Sequence, residues 1–362
     1  MKYLHFYFLL YLALFVSCNK DNNADGVLSH RTIIVYMAAD NDLSEDAWNN
    51  IIDMQSGYVE KNTNLVVFID PMNDVPQILR IESGGIKKIK TYSELNSVDA
   101  VQMKQVLNDI IGMFPAKSYG LVLWSHGTSW LPSGIRLKSF GEDKEQQMDI
   151  TDLAISLPVR FDFILMDACL MGAVEVAYEL RNKTNFIIAS PTEIIFTGFP
   201  YKQIIPELLH PEIDLKKVAA SYFNFYDKMP GVYRSATISL INTSELDRLA
   251  VITAQMIANS IFDTIAFDRS SIQRLDVYSE QYVFDFLDFL EKAFPDADTT
   301  PLKEQIGKVV LYEAHTSSFI DEYNIQTCCG LSCYIPHLQR NDLNAYYHQL
   351  EWCKAAGFYL LF

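Results

Sequence analysis

Continuous apolar runs alternate with stretches of helical spacing through the first half of the chain. Runs rich in β-branched and aromatic residues predict strands buried on both faces, at residues 31–39, 65–70, 119–125, 161–166 and 186–189. Apolar residues at helical spacing predict helices over residues 44–58, 98–114 and 171–181. Gly84-Gly85 separates two shorter strands, at residues 77–83 and 86–91, as the turn of a hairpin does. This alternation predicts an α/β fold with a mostly parallel sheet flanked by helices.

The second half of the chain is more helical. Helices are predicted over residues 215–228, 244–267 and 302–312, and strands over residues 237–241 and 331–335. Residues 127–147 mix Gly, Pro, Ser and charge and are expected to form a long irregular loop. No internal repeat or linker divides residues 31–362, which predicts one domain with a helical C-terminal elaboration.

The amino terminus has the pattern of an export signal. An apolar run from Tyr3 to Val16 is broken only by His5, and it is shorter than the roughly 20 residues of a membrane span. It ends at Val16-Ser17-Cys18, which resembles a bacterial lipobox. These features predict a signal peptide at residues 1–17, a lipid on Cys18 and a flexible tether at residues 18–30, and hence an envelope lipoprotein, in the outer membrane of a Gram-negative bacterium. The alternative is an ordinary cleaved signal peptide with an incidental cysteine.

Charge and cysteine content narrow the classes of function. The formal net charge of −16 over 362 residues argues against a nucleic-acid partner, because phosphate binding needs a basic patch. Cys328, Cys329, Cys333 and Cys353 cluster near the end. An exported protein could oxidise some of these cysteines to disulfides. Zinc binding is a second option, but the paired CxxC motifs of zinc sites are missing. Buried thiols that behave as small apolar residues are the favoured interpretation.

Two predicted strands end in side chains that can perform chemistry. The strand at residues 119–125 leads into His126-Gly127, and the strand at residues 161–166 leads into Asp167-Ala168-Cys169. Ligands of a parallel sheet bind beyond the carboxyl ends of its strands, so neighbouring strands would bring imidazole and thiol together. A thiolate stabilised by an imidazolium is the nucleophile of cysteine enzymes.

Backbone groups and a helix dipole would support this chemistry. The N–H groups of Gly127 and Cys169 are candidates for an oxyanion site. A helix that starts near Met171 would lower the pKa of the Cys169 thiol. The competing interpretation is a buried thiol and a loop histidine with no joint role. Motifs for zinc proteases, dinucleotides, P-loops and serine hydrolases are missing from the sequence, and His210, His315, His337 and His348 show no recognised ligand spacing.

Four segments together resemble the clostripain family of cysteine peptidases, relatives of gingipains, legumains and caspases. They are Trp124-Ser125-His126-Gly127, Met166-Asp167-Ala168-Cys169-Leu170-Met171, Tyr36-Met37-Ala38-Ala39-Asp40-Asn41-Asp42-Leu43 and Gly330-Leu331-Ser332-Cys333-Tyr334-Ile335-Pro336. The resemblance implies a caspase-like three-layer sandwich and a catalytic dyad of His126 and Cys169. It also implies cleavage of proteins or peptides after Arg or Lys, without a cofactor required for the chemistry.

The resemblance also suggests which residues contact the substrate. Asp167 matches the family's acidic residue in the pocket for the basic side chain, although an Asp at this point can instead cap the following helix. Glu193 and Ser190 follow the fifth strand on the same edge and are further pocket candidates. Two alternatives stay open: a peptidase of this fold that cuts after another residue, such as Asn or Asp, and a binding lipoprotein without catalysis.

The resemblance brings two further expectations, on maturation and on calcium. Relatives mature by cutting themselves between the histidine and the cysteine, and the intervening loop offers Arg136, Lys138 and Lys144 as basic cut sites. Some relatives respond to calcium. Asp40-Asn41-Asp42 lacks the Gly and the distal Glu of a calcium loop, so a turn and helix cap is the favoured interpretation there.

Overall fold

A computed structural model describes residues 28–132, 139–260, 267–337 and 339–361. The strands in the described ranges are β1 Arg31–Ala39, β2 Thr63–Pro71, β3 Gln77–Glu82, β4 Gly85–Thr91, β5 Tyr119–Trp124, β6 Phe140–Asp143, β7 Gln146–Met148, β8 Phe161–Asp167, β9 Thr184–Ala189, β10 Thr237–Asn242, β11 Val283–Asp285, β12 Val310–His315, β13 Ser318–Phe319, β14 Tyr323–Asn324 and β15 Ser332–Tyr334. The α-helices there are α1 Ser44–Gly57, α2 Ala100–Met113, α3 Ile150–Ser156, α4 Val174–Leu180, α5 Tyr201–Leu208, α6 Leu215–Tyr226, α7 Leu246–Ala258, α8 Phe286–Ala293, α9 Thr300–Val309, α10 Asn341–Tyr347 and α11 Glu351–Ala355.

Nine strands form the central sheet in the order β12-β10-β9-β8-β5-β1-β2-β3-β4. Its five inner strands, from β9 to β2, run parallel to one another. The outer strands on both sides are antiparallel to their neighbours. The predicted α/β fold with a mostly parallel sheet is confirmed, and the Gly84-Gly85 hairpin is formed by β3 and β4.

Helices cover both faces of the sheet, which explains the unbroken apolar runs. Alternate residues of β1 point to opposite sides: Ile33, Val35 and Met37 pack with α1, α5 and α6. Ile34 and Tyr36 pack on the other face with α2, α3, α4, α7 and α8. All nine residues of β1 are buried. The result is the three-layer sandwich that the sequence predicts.

The structure corrects four of the predicted elements. Residues 140–147 of the expected loop belong to the β6–β7 hairpin, whose Phe140 is fully buried. The helix expected from residue 171 begins only at Val174, after a run of turns. The helix predicted over residues 302–312 ends at Val309. The residues that follow form edge strand β12, which pairs with β10. The helix predicted over residues 244–267 starts at Leu246 and ends at Ala258, with Asn259 as its C-cap.

Several of the predictions concern residues outside the described ranges. They are Cys18 with the signal peptide and most of the tether, and the candidate cut sites Arg136 and Lys138. Within the described ranges, no helix combines the length and the apolar character needed to cross a membrane.

Candidate active site

The histidine and the cysteine lie at the same rim of the sheet. β5 and β8 are adjacent and parallel, with Trp124 opposite Asp167. The same register continued beyond the strands brings His126 level with Cys169. Contact between the two loops is close, since a Cβ on Gly127 would lie 2.7 Å from the Cys169 carbonyl oxygen and 2.9 Å from the Ala168 Cβ. Glycine is therefore required beside the histidine, and the predicted juxtaposition of the two loops is present.

The thiol of Cys169 is held by the backbone of the neighbouring loop. Its Sγ accepts a hydrogen bond from the Ile194 N–H at 3.3 Å and donates to the Ile194 carbonyl at 3.6 Å. Burial raises the pKa of Cys169 to about 12, and the Ile194 backbone hydrogen bond only partly opposes this. The sequence-based expectation of a pKa lowered by a helix dipole is wrong for this conformation, because α4 begins only at Val174.

A strained turn presents the cysteine. Leu170 has a φ of 63°, a left-handed conformation that costs a non-glycine residue about 1–2 kcal/mol. Two hydrogen bonds tie the turn to the loop after β9, from Leu170 N–H to the Thr192 carbonyl and from Gly172 N–H to the Ser190 carbonyl, both 2.8 Å. These contacts compensate for the strain and explain why the helix starts later than its apolar pattern predicts.

The imidazole of His126 contacts an acid that sequence reasoning did not assign to the site. Its Nε2 lies 2.7 Å from Oδ1 of Asp42, whose side chain is 82% exposed. Asp42 follows β1, the strand beside β5. Its position just beyond a strand end is the sequence feature that could have assigned it to the site. An exposed pair of this kind is worth at most about 1 kcal/mol, so it positions the ring only weakly.

The candidate oxyanion donor Gly127 takes part in a bridge with Phe140. The two hydrogen bonds of this bridge use the flanking residues, from Gly141 N–H to the His126 carbonyl at 2.9 Å and from Thr128 N–H to the Ser139 carbonyl at 3.0 Å. In such a pair the N–H of the central residue points away from the partner strand. The oxyanion role of Gly127 and Cys169 remains a prediction.

Asp167 lies buried between the strand end and the loop that precedes α5. Its Oδ2 accepts hydrogen bonds from the Tyr201 hydroxyl at 2.7 Å and the Phe199 N–H at 3.1 Å. Burial raises its pKa to about 6, although both hydrogen bonds favour the carboxylate. The helix-cap alternative is wrong, since the residue before α4 is Ala173 and no side chain caps this helix. Substrate contact by Asp167 remains a prediction.

The two other pocket candidates differ in what they offer. Glu193 accepts a hydrogen bond from the Val277 N–H at 2.9 Å, while its buried Oε2 has no hydrogen-bond partner within the described residues. Burial raises the pKa of Glu193 to about 7. Ser190 is fully buried, and its hydroxyl contacts the Thr237 hydroxyl at 2.8 Å and the Thr192 N–H at 3.2 Å. In this conformation Ser190 supports the loop and does not reach a substrate.

The Asp40-Asn41-Asp42 segment is built as a turn. Asn41 Nδ2 donates to the carbonyls of Ala38 and Glu142, and its Oδ1 accepts from Leu43 N–H. Asp40 pairs with Lys144 at 3.1 Å. The contacts of Asn41 and Asp40 favour the turn over a calcium loop, and they place the candidate cut residue Lys144 in an ion pair. The predicted helix cap is wrong, since the residue before α1 is Leu43 and no side chain caps this helix.

Comparisons with known proteins identify relatives of this chain. A model of the clostripain family, Peptidase_C11, matches residues 35–353. Clostripain of Hathewaya histolytica is 25% identical over 49% of this chain and 42% of that protein, so the chain matches less than half the length of this curated relative.

Two solved structures extend the comparison to the whole fold. An inactive zymogen of a C11 protease from Parabacteroides distasonis superposes with a TM-score of 0.81 and 32% identity, over 91% of this chain and 98% of the other. A secreted C11 cysteine protease from Bacteroides thetaiotaomicron, in complex with an irreversible peptide inhibitor, gives a TM-score of 0.80 and 30% identity, over 91% and 99%. With the family match spanning most of its length, this chain belongs to the clostripain family.

Proposed function

We propose that this protein is a cysteine endopeptidase that hydrolyses peptide bonds after Arg or Lys, with Cys169 as nucleophile and His126 as base. The observation that carries the proposal is the contact between the two strand-end loops, where Gly127 meets the backbone of Cys169. A thiol and an imidazole on adjacent loops are the minimum that nucleophilic acyl transfer requires.

The reaction follows from these groups. His126 takes the proton of the Cys169 thiol, the thiolate attacks the carbonyl carbon, and the N–H groups of Gly127 and Cys169 stabilise the oxyanion. The C–N bond breaks as His126 passes this proton to the leaving amine, which leaves a thioester on the sulfur. His126 then takes a proton from water, whose oxygen attacks the thioester carbonyl. The C–S bond breaks as His126 returns this proton to the sulfur, which releases the acid and restores the thiol.

The described conformation is a resting one. The sulfur is paired with the Ile194 backbone, and Nε2 of His126 is paired with Asp42. Catalysis requires that sulfur and imidazole turn towards each other, because an adjacent imidazolium is what lowers a thiol pKa into the working range. The zymogen state reported for the Parabacteroides relative supports this interpretation.

Specificity for a basic side chain rests on Asp167. A carboxylate in a water-poor site binds guanidinium or ammonium strongly, and the buried Asp167 and the half-buried Glu193 both supply negative charge beside the cysteine. Burial is the main cause that raises the pKa of Cys169, and the nearby carboxyl groups of Glu193 and Asp167 raise it further.

A positional peptide library tests the specificity. We expect kcat/KM for Arg and Lys reporters to exceed that for Asn and Asp reporters by at least about a hundredfold, which corresponds to roughly 2.7 kcal/mol. Asp167→Asn keeps an acceptor for Tyr201 and Phe199 and should remove most of this preference, while the surface variant Asp152→Asn should retain it. A wild-type enzyme indifferent to basic residues, or an Asp167→Asn enzyme with unchanged preference, contradicts the proposed specificity.

Export and maturation complete the proposal. A lipid on Cys18 would anchor the domain of residues 31–362 to the envelope, and the secreted relative from Bacteroides supports export. Self-cleavage between His126 and Cys169 would use Arg136, Lys138 or Lys144. One mass measurement of the purified mature protein reports both: a diacyl or triacyl increment on residue 18, and an internal nick. An unmodified Cys18 peptide would exclude the lipid, and an unbroken active chain would exclude obligatory self-cleavage.

A further inference from the structure

Three metal-binding side chains converge at the end of edge strand β12. Glu313 and His315 are two residues apart on the strand and so share one face, with Nδ1 of His315 2.6 Å from Oε1 of Glu313. The thiol of Cys328 approaches them from the chain that leads to β15. One ligand atom of each residue lies within 4.8 Å of the others.

The Cys328 segment is held against β12 by specific contacts. Gly330 has a φ of 86°, and a Cβ there would lie 2.7 Å from Val310 Cγ1 and 2.9 Å from the Ser239 hydroxyl. The Cys329 N–H donates to Oδ2 of buried Asp285 at 2.6 Å. Cys328 itself is a free thiol. The fold therefore brings this sulfur to the Glu–His pair without a disulfide.

We propose that Glu313, His315 and Cys328 bind a zinc-class divalent metal ion. Thiolate, imidazole and carboxylate are the donor set of zinc, whose bonds of about 2.0–2.3 Å place tetrahedral ligand atoms roughly 3.2–3.8 Å apart. Small side-chain rotations bring the present spacing into that range. Two anionic ligands and one neutral imidazole would balance the metal's charge, and three protein ligands would leave a fourth position for water.

The proposed metal site is separate from the dyad but shares its rim. β12 is antiparallel to β10, and His315 lies opposite Thr237. The Thr237 hydroxyl in turn contacts the Thr192 N–H at 3.2 Å, in the loop that holds the Cys169 sulfur. The site would tie β12 to the Cys328 segment next to this loop. None of its ligands takes part in the proposed peptidase reaction, so the inference stands independently of that reaction.

Cobalt substitution gives a direct test on the full-length domain. The Cys169→Ala protein is used throughout, so that the active-site thiol cannot contribute, and cysteines are reduced before the reductant is removed. One equivalent of Co²⁺ should produce a thiolate-to-cobalt charge-transfer band and the intense visible bands of a tetrahedral ion, and zinc should displace both. Competition with a chromophoric chelator then gives the zinc affinity.

Variants assign the ligands. Cys328→Ser should abolish the charge-transfer band, and His315→Gln and Glu313→Gln should weaken zinc binding by at least about tenfold, since loss of even an orienting partner of a ligand costs this much. Cys329→Ser is the matched control and should bind as the parent does. The proposal is overturned if the parent shows no charge-transfer band. It is also overturned if the band persists in Cys328→Ser, or if only Cys329→Ser loses it. Thermal unfolding with and without zinc provides a second readout, because a ligand that binds only the folded chain raises its stability.

Discussion

The resting conformation predicts an unusually slow thiol. In the uncleaved chain Cys169 is half-buried, its sulfur is bonded to the Ile194 backbone, and burial raises its pKa to about 12. Alkylating agents react with the thiolate and not with the thiol. We therefore expect iodoacetamide to modify Cys169 more slowly than it modifies a free peptide thiol at neutral pH.

The size of the effect follows from two opposing terms. Against an ordinary cysteine pKa of about 8.5, the raised value lowers the thiolate fraction at pH 7 roughly three-thousandfold. The lower thiolate fraction alone would slow the reaction by roughly three and a half powers of ten. A more basic thiolate is also a better nucleophile, with a Brønsted slope of about 0.4–0.5, and this offsets roughly one and a half of those powers of ten. The net expectation is alkylation about a hundredfold slower than that of glutathione in the same tube, and limited access to the sulfur would slow it further.

Site-resolved mass spectrometry measures this rate between pH 6 and 9, with the intact mass confirming that the chain is uncleaved. The rate should keep rising with pH up to pH 9 without a plateau. Glu193→Gln should accelerate alkylation above pH 8, because the Glu193 carboxylate, whose pKa is about 7, raises the pKa of the thiol. A plateau below pH 8, or a rate at pH 7 equal to that of glutathione, would refute the resting-state interpretation.

Three further variants test other parts of the structure. Asp42→Asn should change kcat/KM by less than about fivefold, because the exposed contact with His126 is worth at most about 1 kcal/mol. Steady-state assays measure this change, and a loss above about a hundredfold would make Asp42 a third catalytic residue. Gly127→Ala should lower kcat by at least about tenfold, because the new Cβ would lie 2.7 Å from the Cys169 carbonyl oxygen and shift the loop. Circular dichroism should show that the variant is folded, and a wild-type kcat would contradict the contact. Burial and the neighbouring Asp143 raise the pKa of Asp70 to about 8, so the folded chain holds a proton that the unfolded chain has lost above about pH 4. The stability contributed by Asp70 is therefore lost as pH rises from about 4 to 8, and urea unfolding should show Asp70→Asn gaining most over wild type at pH 8; a gain independent of pH would refute this.

Much of the fold could be predicted because its strands are buried on both faces. β1 was predicted to the residue, since a run of nine buried positions has no polar side to blur its ends. The loops that carry His126 and Cys169 could be placed side by side from sequence because the ends of parallel strands meet at one rim. The Gly84-Gly85 pair likewise signalled its hairpin.

Other features depend on contacts between distant segments and left no local signal. The start of α4 is delayed by bonds from the turn around Leu170 to the loop after β9. The β6–β7 hairpin has the polar composition of a loop, yet it buries Phe140. The burial of Ser190 depends on Thr237, and Cys328 meets His315 only through the fold, so sequence spacing showed no ligand pattern there.

The central claim, that Cys169 is the nucleophile, is tested most directly by steady-state hydrolysis of a Lys-terminated reporter peptide by wild type, Cys169→Ala and the control Cys329→Ala. With folding verified by circular dichroism, Cys169→Ala should lose at least about a thousandfold in kcat, since removal of a catalytic nucleophile costs this much or more, while Cys329→Ala keeps wild-type turnover. A folded Cys169→Ala protein that still turns over the reporter at the wild-type rate would contradict the account.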